Sequence, residues 1–318
     1  MRIRGILLKV AFVGLGSIAK RHIKNLCHIF ESRNDEIQID VFRSGNGTSV
    51  SSDVSDKVTN TYQVGSDICQ CYDAIFITNP TSLHWKTLKE FQQYAKAFFI
   101  EKPVFASGNI ELDSLHLDYQ KIYYVACPLR YTSVIQYIKS NIDLKKVYGI
   151  QAISSSYLPD WRPGVDYRNT YSAHKALGGG VAIDLIHEWD YLSYLIGFPL
   201  SIQSYIKHVS DLEIDSDDIA VYIADYGNKI VELHLDYIGR KPIRQLQLLS
   251  NEDTIVCDLI DSTIHYLKAD QKISFKEVRD EYQLRELEYF LGVLEGTYEN
   301  QNTIEHACQV LRLTEGKL

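Results

Sequence analysis

The chain has 318 residues, of which 45% are hydrophobic and 23% charged, and a formal net charge of -8. That length suffices for two domains, each with its own core. The acidic balance excludes the basic face that a nucleic-acid binder needs, and no Lys/Arg run marks a membrane surface.

Near the start, Lys9 interrupts the apolar run, so the stretch reads as a strand rather than a secretory leader. No uninterrupted stretch of about 18 apolar residues points to a spanning helix. The expected setting is cytoplasmic. Leu8–Val13 is the first strand and runs into Gly14-Leu15-Gly16-Ser17-Ile18-Ala19. Ser17–Phe30 then shows helical spacing, with Ile18, His22, Ile23, Leu26, Ile29 and Phe30 on one face. A glycine motif between strand and helix is a dinucleotide cradle. Gly14 permits the tight turn, Gly16 lets the backbone approach a pyrophosphate, and Ala19 is the third small position. Ser17 and Ile18 supply N–H groups at the helix N-terminus, where an anion is favoured.

Ile37–Phe42 is the second strand, tipped by Arg43 and Ser44. A carboxylate at that tip would grip the ribose hydroxyls of NAD, whereas a guanidinium beside a hydroxyl suits a 2′-phosphate. The expected cofactor is therefore NADP in preference to NAD. In the alternative, Arg43 is a solvated loop residue and Asp40 faces the ribose. Gly45–Ser55 reads as a loop, and Thr59–Cys71 is ambiguous. Ala74–Thr78, Ala97–Ile100 and Ile122–Ala126 are compact apolar runs of the kind found in parallel strands covered on both faces. Strand and crossover in alternation imply a doubly wound parallel sheet over residues 1–126.

Glu101-Lys102-Pro103 follows one of these strands, whose C-terminal end should open on the cofactor crevice. A lysine there can hydrogen-bond a substrate hydroxyl and stabilise its developing charge. Past Cys127 the texture changes, and residues 127–318 are expected to form an α+β domain. Lys146–Tyr157, Ile202–Val209, Ile219–Tyr226, Ile230–Ile238, Ile243–Ser250 and Thr254–Leu259 are strand candidates, several alternating in the antiparallel manner. Asp225-Tyr-Gly-Asn228 marks a hairpin. Helices are expected at Ala182–Leu195, Tyr282–Glu295 and Thr303–Glu315, the last able to pack back on the first domain.

Gly178-Gly179-Gly180 precedes Asp184, His187 and Asp190, which recur every three residues and would share a helix face. The glycines allow close approach to another element, such as a nicotinamide. His187 suits proton exchange near neutral pH, and Asp184 can orient it or the substrate. With one histidine in the cluster and no second ligand set at a recognisable spacing, no metal is expected. The six scattered cysteines form neither a disulfide framework nor a zinc pattern. Tyr157-Leu-Pro-Asp-Trp161-Arg162, Asp166-Tyr-Arg168 and Tyr171-Ser-Ala-His-Lys175 form a long arm of aromatic and basic side chains. Such groups bind hydroxyls, carboxylates or phosphates and stack on sugars. Tyr157, Trp161, Arg162, Tyr171 and Lys175 are candidate substrate residues, with Arg130 at the domain junction. Alternatively, the arm packs on a partner subunit.

These motifs in order, with Asn79-Pro80 and His84, resemble the Gfo/Idh/MocA group of glucose–fructose oxidoreductase, inositol dehydrogenase and rhizopine-catabolism proteins. The resemblance implies an NAD(P)-dependent dehydrogenase or reductase acting on the CH–OH group of a sugar, inositol or sugar nucleotide. It also implies a large, mostly antiparallel open sheet in the second domain, used for homodimers or homotetramers. Lys102 matches the family lysine; Asn79, Pro80, His84 and Glu101 match its cofactor-flanking segments; Asp184 and His187 match its acid and histidine. Many members space the last two as D-x-x-x-H, whereas here they are D-x-x-H. The arm resembles a branch found with bacterial surface-sugar biosynthesis. Two further readings use the same residues: a sugar lyase or glycosidase that keeps its nicotinamide with no net redox change, and a non-catalytic nucleotide or sugar sensor.

Overall fold

The computed structural model describes residues 7–45, 53–68 and 70–318. Most of the expected 45–55 loop, and Cys69, lie outside the described residues. The chain divides into two compact units. The first comprises residues up to Ala106, Ile110–Ala126 and Gln283–Ala307; the second comprises Ser107–Asn109, Cys127–Tyr282 and Cys308–Leu318.

In the first unit, β1 (Leu7–Val13), β2 (Glu36–Arg43), β3 (Asn60–Gln63), β4 (Tyr72–Ile77), β5 (Ala95–Ile100) and β6 (Ile122–Val125) make one sheet. Its order is β3-β2-β1-β4-β5-β6 and every pairing is parallel. The order reverses between β1 and β4, the place where open α/β sheets bind their ligands. Helices α1 (Ser17–Arg33) and α2 (His84–Phe91) are crossovers. The polar strand β3 falls within the stretch whose sequence is ambiguous.

One face of this sheet carries an aromatic ladder. Phe12, Phe76, Phe99 and Tyr124 stand opposite one another in register on β1, β4, β5 and β6. Their stacked rings lie 4.6, 4.9 and 5.2 Å apart in turn. Phe290 meets the Phe76 and Phe99 rings edge-on at 5.7 and 5.3 Å. It belongs to α6 (Arg279–Leu294), so Gln283–Ala307 joins the first core, although a division at residue 126 assigns it to the second domain. The cause is the apolar face of Leu287, Phe290 and Leu291, all buried in this cluster.

The second unit contains α3 (Ser133–Asn141) and β7 (Val147–Tyr157), then the short helix α4 (Val181–Asp184) and α5 (His187–Ile196). The strands β8 (Ser201–Lys207), β9 (Ile219–Asp225), β10 (Ile230–Asp236), β11 (Ile238–Ser250), β12 (Thr254–Asp258), β13 (Thr263–Tyr266) and β14 (Gln271–Ser274) follow. Helix α7 (Ile304–Thr314) lies near the end of the chain. The eight strands form a sheet ordered β14-β13-β12-β11-β7-β10-β9-β8. All neighbours are antiparallel except β7 and β10. Ile150, Ala152, Leu233, Leu235, Leu246 and Leu248 are buried on one face; Gln151, Glu232 and Ile223 alternate with such positions and are exposed. The hairpin at Gly227 (φ 80°) joins β9 to β10 as its sequence indicates.

The expected single helix over 182–195 is two. Leu185 (φ -95°, ψ 31°) and Ile186 form a turn that separates α4 from α5.

Phe290→Ala should lower the unfolding free energy by about 3–5 kcal/mol, because it empties the centre of the aromatic cluster. Urea denaturation followed by tryptophan fluorescence and circular dichroism checks this.

Candidate active site

The candidate nucleotide site of the first unit is built at the tips of β1, β2, β4 and β5. Gly14 follows β1 with φ 96°, and its N–H donates to the Phe42 carbonyl at 2.9 Å. A Cβ at Gly14 would lie 2.8 Å from the Asn79 backbone, so only glycine lets these tips meet. Thr78 locks the contact, its hydroxyl donating to the Gly14 carbonyl at 3.0 Å. Gly16 is the N-terminal cap residue of α1, and no side chain caps the helix there. A Cβ on Gly16 would meet nothing within 4 Å. Ser17 is exposed and Ile18 half-buried at the start of α1. Uncapped amides beside an open glycine fit a pyrophosphate, which needs N–H donors and close backbone approach.

Three residues before the tip of β2, Asp40 is fully buried. It accepts from Asn60 at 2.9 Å, from the Tyr72 hydroxyl at 3.0 Å and from Gln70. This excludes the alternative in which Asp40 faces a ribose: its oxygens are engaged inside the fold. The tip itself is half-buried Arg43, followed by exposed Ser44.

Pro80 is exposed after β4, and Asn79 Nδ2 donates to Thr87 Oγ1 at 2.7 Å. His84 is buried; its Nδ1 lies 3.1 Å from the Val104 carbonyl and its Nε2 3.0 Å from the Asn79 carbonyl. Burial lowers its pKa despite these acceptors. His84 is thus an internal tie between the segment after β4 and the segment after Lys102-Pro103. That geometry corrects the expectation that its ring contacts the cofactor, since both nitrogens face backbone carbonyls.

Glu101 ends β5, and its Oε1 lies 2.6 Å from Nε2 of His22 on α1. Its Oε2 accepts the Lys102 backbone N–H at 3.2 Å. Burial pushes the Glu101 carboxyl up, but the hydrogen bond and charge of His22, with Lys102 and His84 nearby, hold it below the usual carboxylate range. Glu101 is therefore ionised at neutral pH, and its oxygens serve as anchors for the lysine segment. Half-buried Lys102 follows, joined to Pro103 by a cis peptide. His22 escapes sequence reasoning: in the sequence it is one more position on a helix face, 79 residues from its partner.

In the second unit, Asp184 is buried at the end of α4 and accepts from the Tyr237 hydroxyl at 2.6 Å. The Tyr171 phenol faces the same carboxylate. Half-buried His187 opens α5. Because the turn at 185–186 intervenes, Asp184 and His187 do not share one helix face as their spacing suggests. The glycine triplet serves local packing. A Cβ at Gly179 would lie 2.1 Å from the Tyr171 carbonyl, and one at Gly180 would lie 2.4 Å from Asp217 Oδ1. The close approach is therefore to protein, not to a nicotinamide as expected. Asp217 completes the mooring, accepting from the Ala182 N–H at 2.9 Å.

Asp190 points to Arg130, whose Nε and Nη2 lie 2.8 and 2.6 Å from its two oxygens. Arg130 is 1% exposed. It braces α5, which corrects its assignment as a substrate residue: a fork-on-fork pair already occupies the guanidinium. Arg244 on β11 makes a second buried pair with Glu188 at 2.7 Å. Of the arm residues, Trp161 donates to Ser156 Oγ at 2.9 Å and packs edge-on against Tyr237 at 5.2 Å. Arg162 lies over the Tyr171 ring at 5.7 Å, and Tyr157 carries the guanidinium of Arg240 at 3.7 Å. Lys175 is exposed, with its backbone N–H bonded to Asp215 at 2.6 Å. Tyr237, Asp217, Arg240 and Arg244 carry no spacing signal in the sequence.

Residues 8–112 match the oxidoreductase-family model for the NAD-binding Rossmann fold. The model that matches is that of the Gfo/Idh/MocA oxidoreductase family. The uncharacterized oxidoreductase YrbE of Bacillus subtilis (strain 168) is 26% identical over 227 residues, which is 68% of this chain and 63% of that protein. The chain thus spans less than two thirds of that relative's length. Among solved structures, the WlbA dehydrogenase of Bordetella pertussis with NADH and UDP-GlcNAcA superposes with a TM-score of 0.77 at 16% identity, over 98% of this chain and 95% of that one. UDP-N-acetylglucosamine 3-dehydrogenase GnnA of Acidithiobacillus ferrooxidans gives 0.76 at 17%, over 98% and 97%. A levoglucosan dehydrogenase with NADH and levoglucosan gives 0.80 at 15%, over 98% and 96%. At these identities the likenesses establish the fold. Among the described residues no helix is long and apolar enough to cross a membrane.

Asp190→Ala should destabilise the chain by about 3–5 kcal/mol, because it strands the buried Arg130 guanidinium. Arg130→Met combined with Asp190→Leu should cost well under the sum of the single changes. Urea unfolding of all four members of the cycle measures the difference.

Proposed function

We propose that this protein is an NAD(P)-dependent oxidoreductase that moves a hydride between nicotinamide and a carbinol or carbonyl carbon of a sugar-like substrate. The observation that carries the reading is the cradle: an open Gly16 and an uncapped α1, with the Glu101–Lys102 segment hydrogen-bonded to α1 through His22. Gly14, Gly16, Ser17 and Ile18 would hold the pyrophosphate, and Asn79 and Pro80 would flank the ring. When bound, the nicotinamide supplies the hydride donor or acceptor. Lys102 hydrogen-bonds the reacting hydroxyl and lowers its pKa. His187 takes or returns the proton, and Asp184, oriented by Tyr237, fixes a neighbouring hydroxyl or the imidazole. WlbA and GnnA are named for sugar-nucleotide chemistry and levoglucosan dehydrogenase for an anhydrosugar, which supports a sugar or sugar-nucleotide substrate class.

NADP is the preferred cofactor in this reading. Arg43 and Ser44 end β2, and the one acid near that tip, Asp40, is used internally. The exposed face of the eight-stranded sheet, with Ile223 52% exposed among Gln151, Glu232, His234 and Gln247, is the surface for a homodimer or homotetramer. A cytoplasmic setting accords with the buried cysteines Cys27, Cys127, Cys257 and Cys308, none of which is in a disulfide among the described residues.

Lys102→Ala should abolish turnover while leaving NADPH binding within about threefold, as read by fluorescence titration and a screen of sugars at the nicotinamide absorbance. Loss of both together would contradict a chemical role for Lys102. Arg43→Ala should weaken NADPH binding about 10- to 100-fold and NADH binding far less, the expected cost of one charge-assisted phosphate contact. Equal effects on the two nucleotides would refute the NADP preference.

A further inference from the structure

The aromatic arm of the second unit presents two guanidinium groups without acidic partners. Arg240 is exposed on β11, with its Cζ 3.7 Å from the centre of the Tyr157 ring. Arg162, also exposed, stands over Tyr171 at 5.7 Å. Neither has a carboxylate within 4.0 Å among the described residues. The other arginines nearby do. Arg168 lies 2.9 and 3.1 Å from Asp166 and Glu213, Arg130 pairs with Asp190, and Arg244 with Glu188.

Both stacked pairs connect to Asp184. Tyr171 faces its carboxylate directly. Tyr157 pairs with Ile238 across β7 and β11, and the next residue, Leu158, donates its N–H to the Tyr237 carbonyl at 3.0 Å. Tyr237 in turn donates to Asp184. A guanidinium laid on a ring is held in place through its face, while the N–H groups along its edge stay available. That edge matches an oxyanion in two-pronged geometry.

We propose that Arg240 and Arg162 form an oxyanion subsite beside Asp184, and that the substrate is a sugar bearing a phosphate, diphosphate or carboxylate group rather than a neutral polyol. This rests on the reading of Asp184 as part of the substrate site, and it fixes the substrate class that the reading leaves open. The partner pairs at Arg168 show that acids are within reach of this arm, so the two unpaired cations are a selective feature of the surface around Asp184.

The test is calorimetric and independent of turnover. The full chain, saturated with NADPH to block the cradle, is titrated with UDP, D-glucuronate and D-glucose. Saturable binding of UDP or of glucuronate is expected, stronger than that of glucose and weakening as salt is raised. Arg240→Ala and Arg162→Ala should each weaken the anion about 10- to 100-fold, with Arg240→Lys recovering part of the loss. Binding of UDP alone identifies a phosphate-bearing substrate, and binding of glucuronate alone identifies a sugar acid. Anion affinity unchanged in both alanine variants, no saturable anion binding, or glucose bound as tightly as the anions overturns the subsite. Both side chains are exposed, and an unchanged melting temperature confirms folding. If neither NADPH nor NADH binds the wild type, the hydride-transfer reading falls, while anion titration of the protein without nucleotide still decides the subsite through its sensitivity to Arg240.

Discussion

The hydrogen bond between His22 and Glu101 is the constraint on which the first unit's chemistry depends. It joins the helix behind the glycine turn to the tip of β5, across 79 residues of sequence and 2.6 Å of space. An ionised carboxylate only accepts, so Nε2 of His22 must carry the proton. Nδ1 of His22 is buried without a partner. The second oxygen of Glu101 then fixes the Lys102 amide, and His84 fixes Val104 from the other side. Lys102 is the one residue between these two anchors whose side chain is suited to hold a reacting hydroxyl. A side chain with four rotatable bonds gains from such a base, since little of its positioning can come from its own stem.

The second unit solves a similar problem with charge. Helix α5 carries two buried acids two residues apart and of opposite direction, Glu188 toward β11 and Asp190 toward Arg130. Buried ion pairs contribute little net stability against well-packed apolar residues. They do fix rotation and height, because a helix turned by one residue would strand both charges. His187 sits at the start of that helix, and the turn at 185–186 frees it from the line of α4. Asp184 is set separately by Tyr237 and by the glycine-permitted contacts of Gly179 and Gly180. Acid and imidazole are thus positioned by independent devices, and a D-x-x-H spacing need not imitate a single-helix geometry.

The sequence displays elements that bury two faces or alternate cleanly, which is why β1, β2, β4, β5, β7, β9 and β10 are legible within a residue or two and α1 within three. It hides elements whose stability comes from a neighbour. β3 reads Asn-Thr-Tyr-Gln, and β14 reads Gln-Lys-Ile-Ser; both are edge strands with little apolar content. The break between α4 and α5 is invisible for the opposite reason. Residues 180–186 are buried all round except Ile183, so no periodicity remains to lose. Chemistry follows the same division. Glycine turns and strand tips are local, so the places of Gly14, Gly16, Glu101 and Lys102 in the fold can be read. Partnerships such as His22 with Glu101, Arg130 with Asp190 and Tyr237 with Asp184 are matters of tertiary proximity. The misassignment of Arg130 is of this kind, because an arginine at a junction looks available until its acid is found.

A net charge of -8 opposes an anionic substrate at long range. Screening settles the matter: at physiological salt, charges more than about 8 Å apart contribute little, so the field a ligand meets is that of its immediate wall. That wall includes Arg162 on the arm and Arg240 on β11 without acids beside them, while Asp166 and Glu213 are neutralised locally by Arg168. The buried carboxylate of Asp184 is shielded by the Tyr237 hydroxyl and set back from solvent. An acidic surface with a cationic patch of this kind repels anions generally and admits them at one place, so charge distribution rather than net charge governs approach. The stacking of each guanidinium on a tyrosine makes this economical, since the ring stabilises the cation without consuming the N–H edge that a ligand would use.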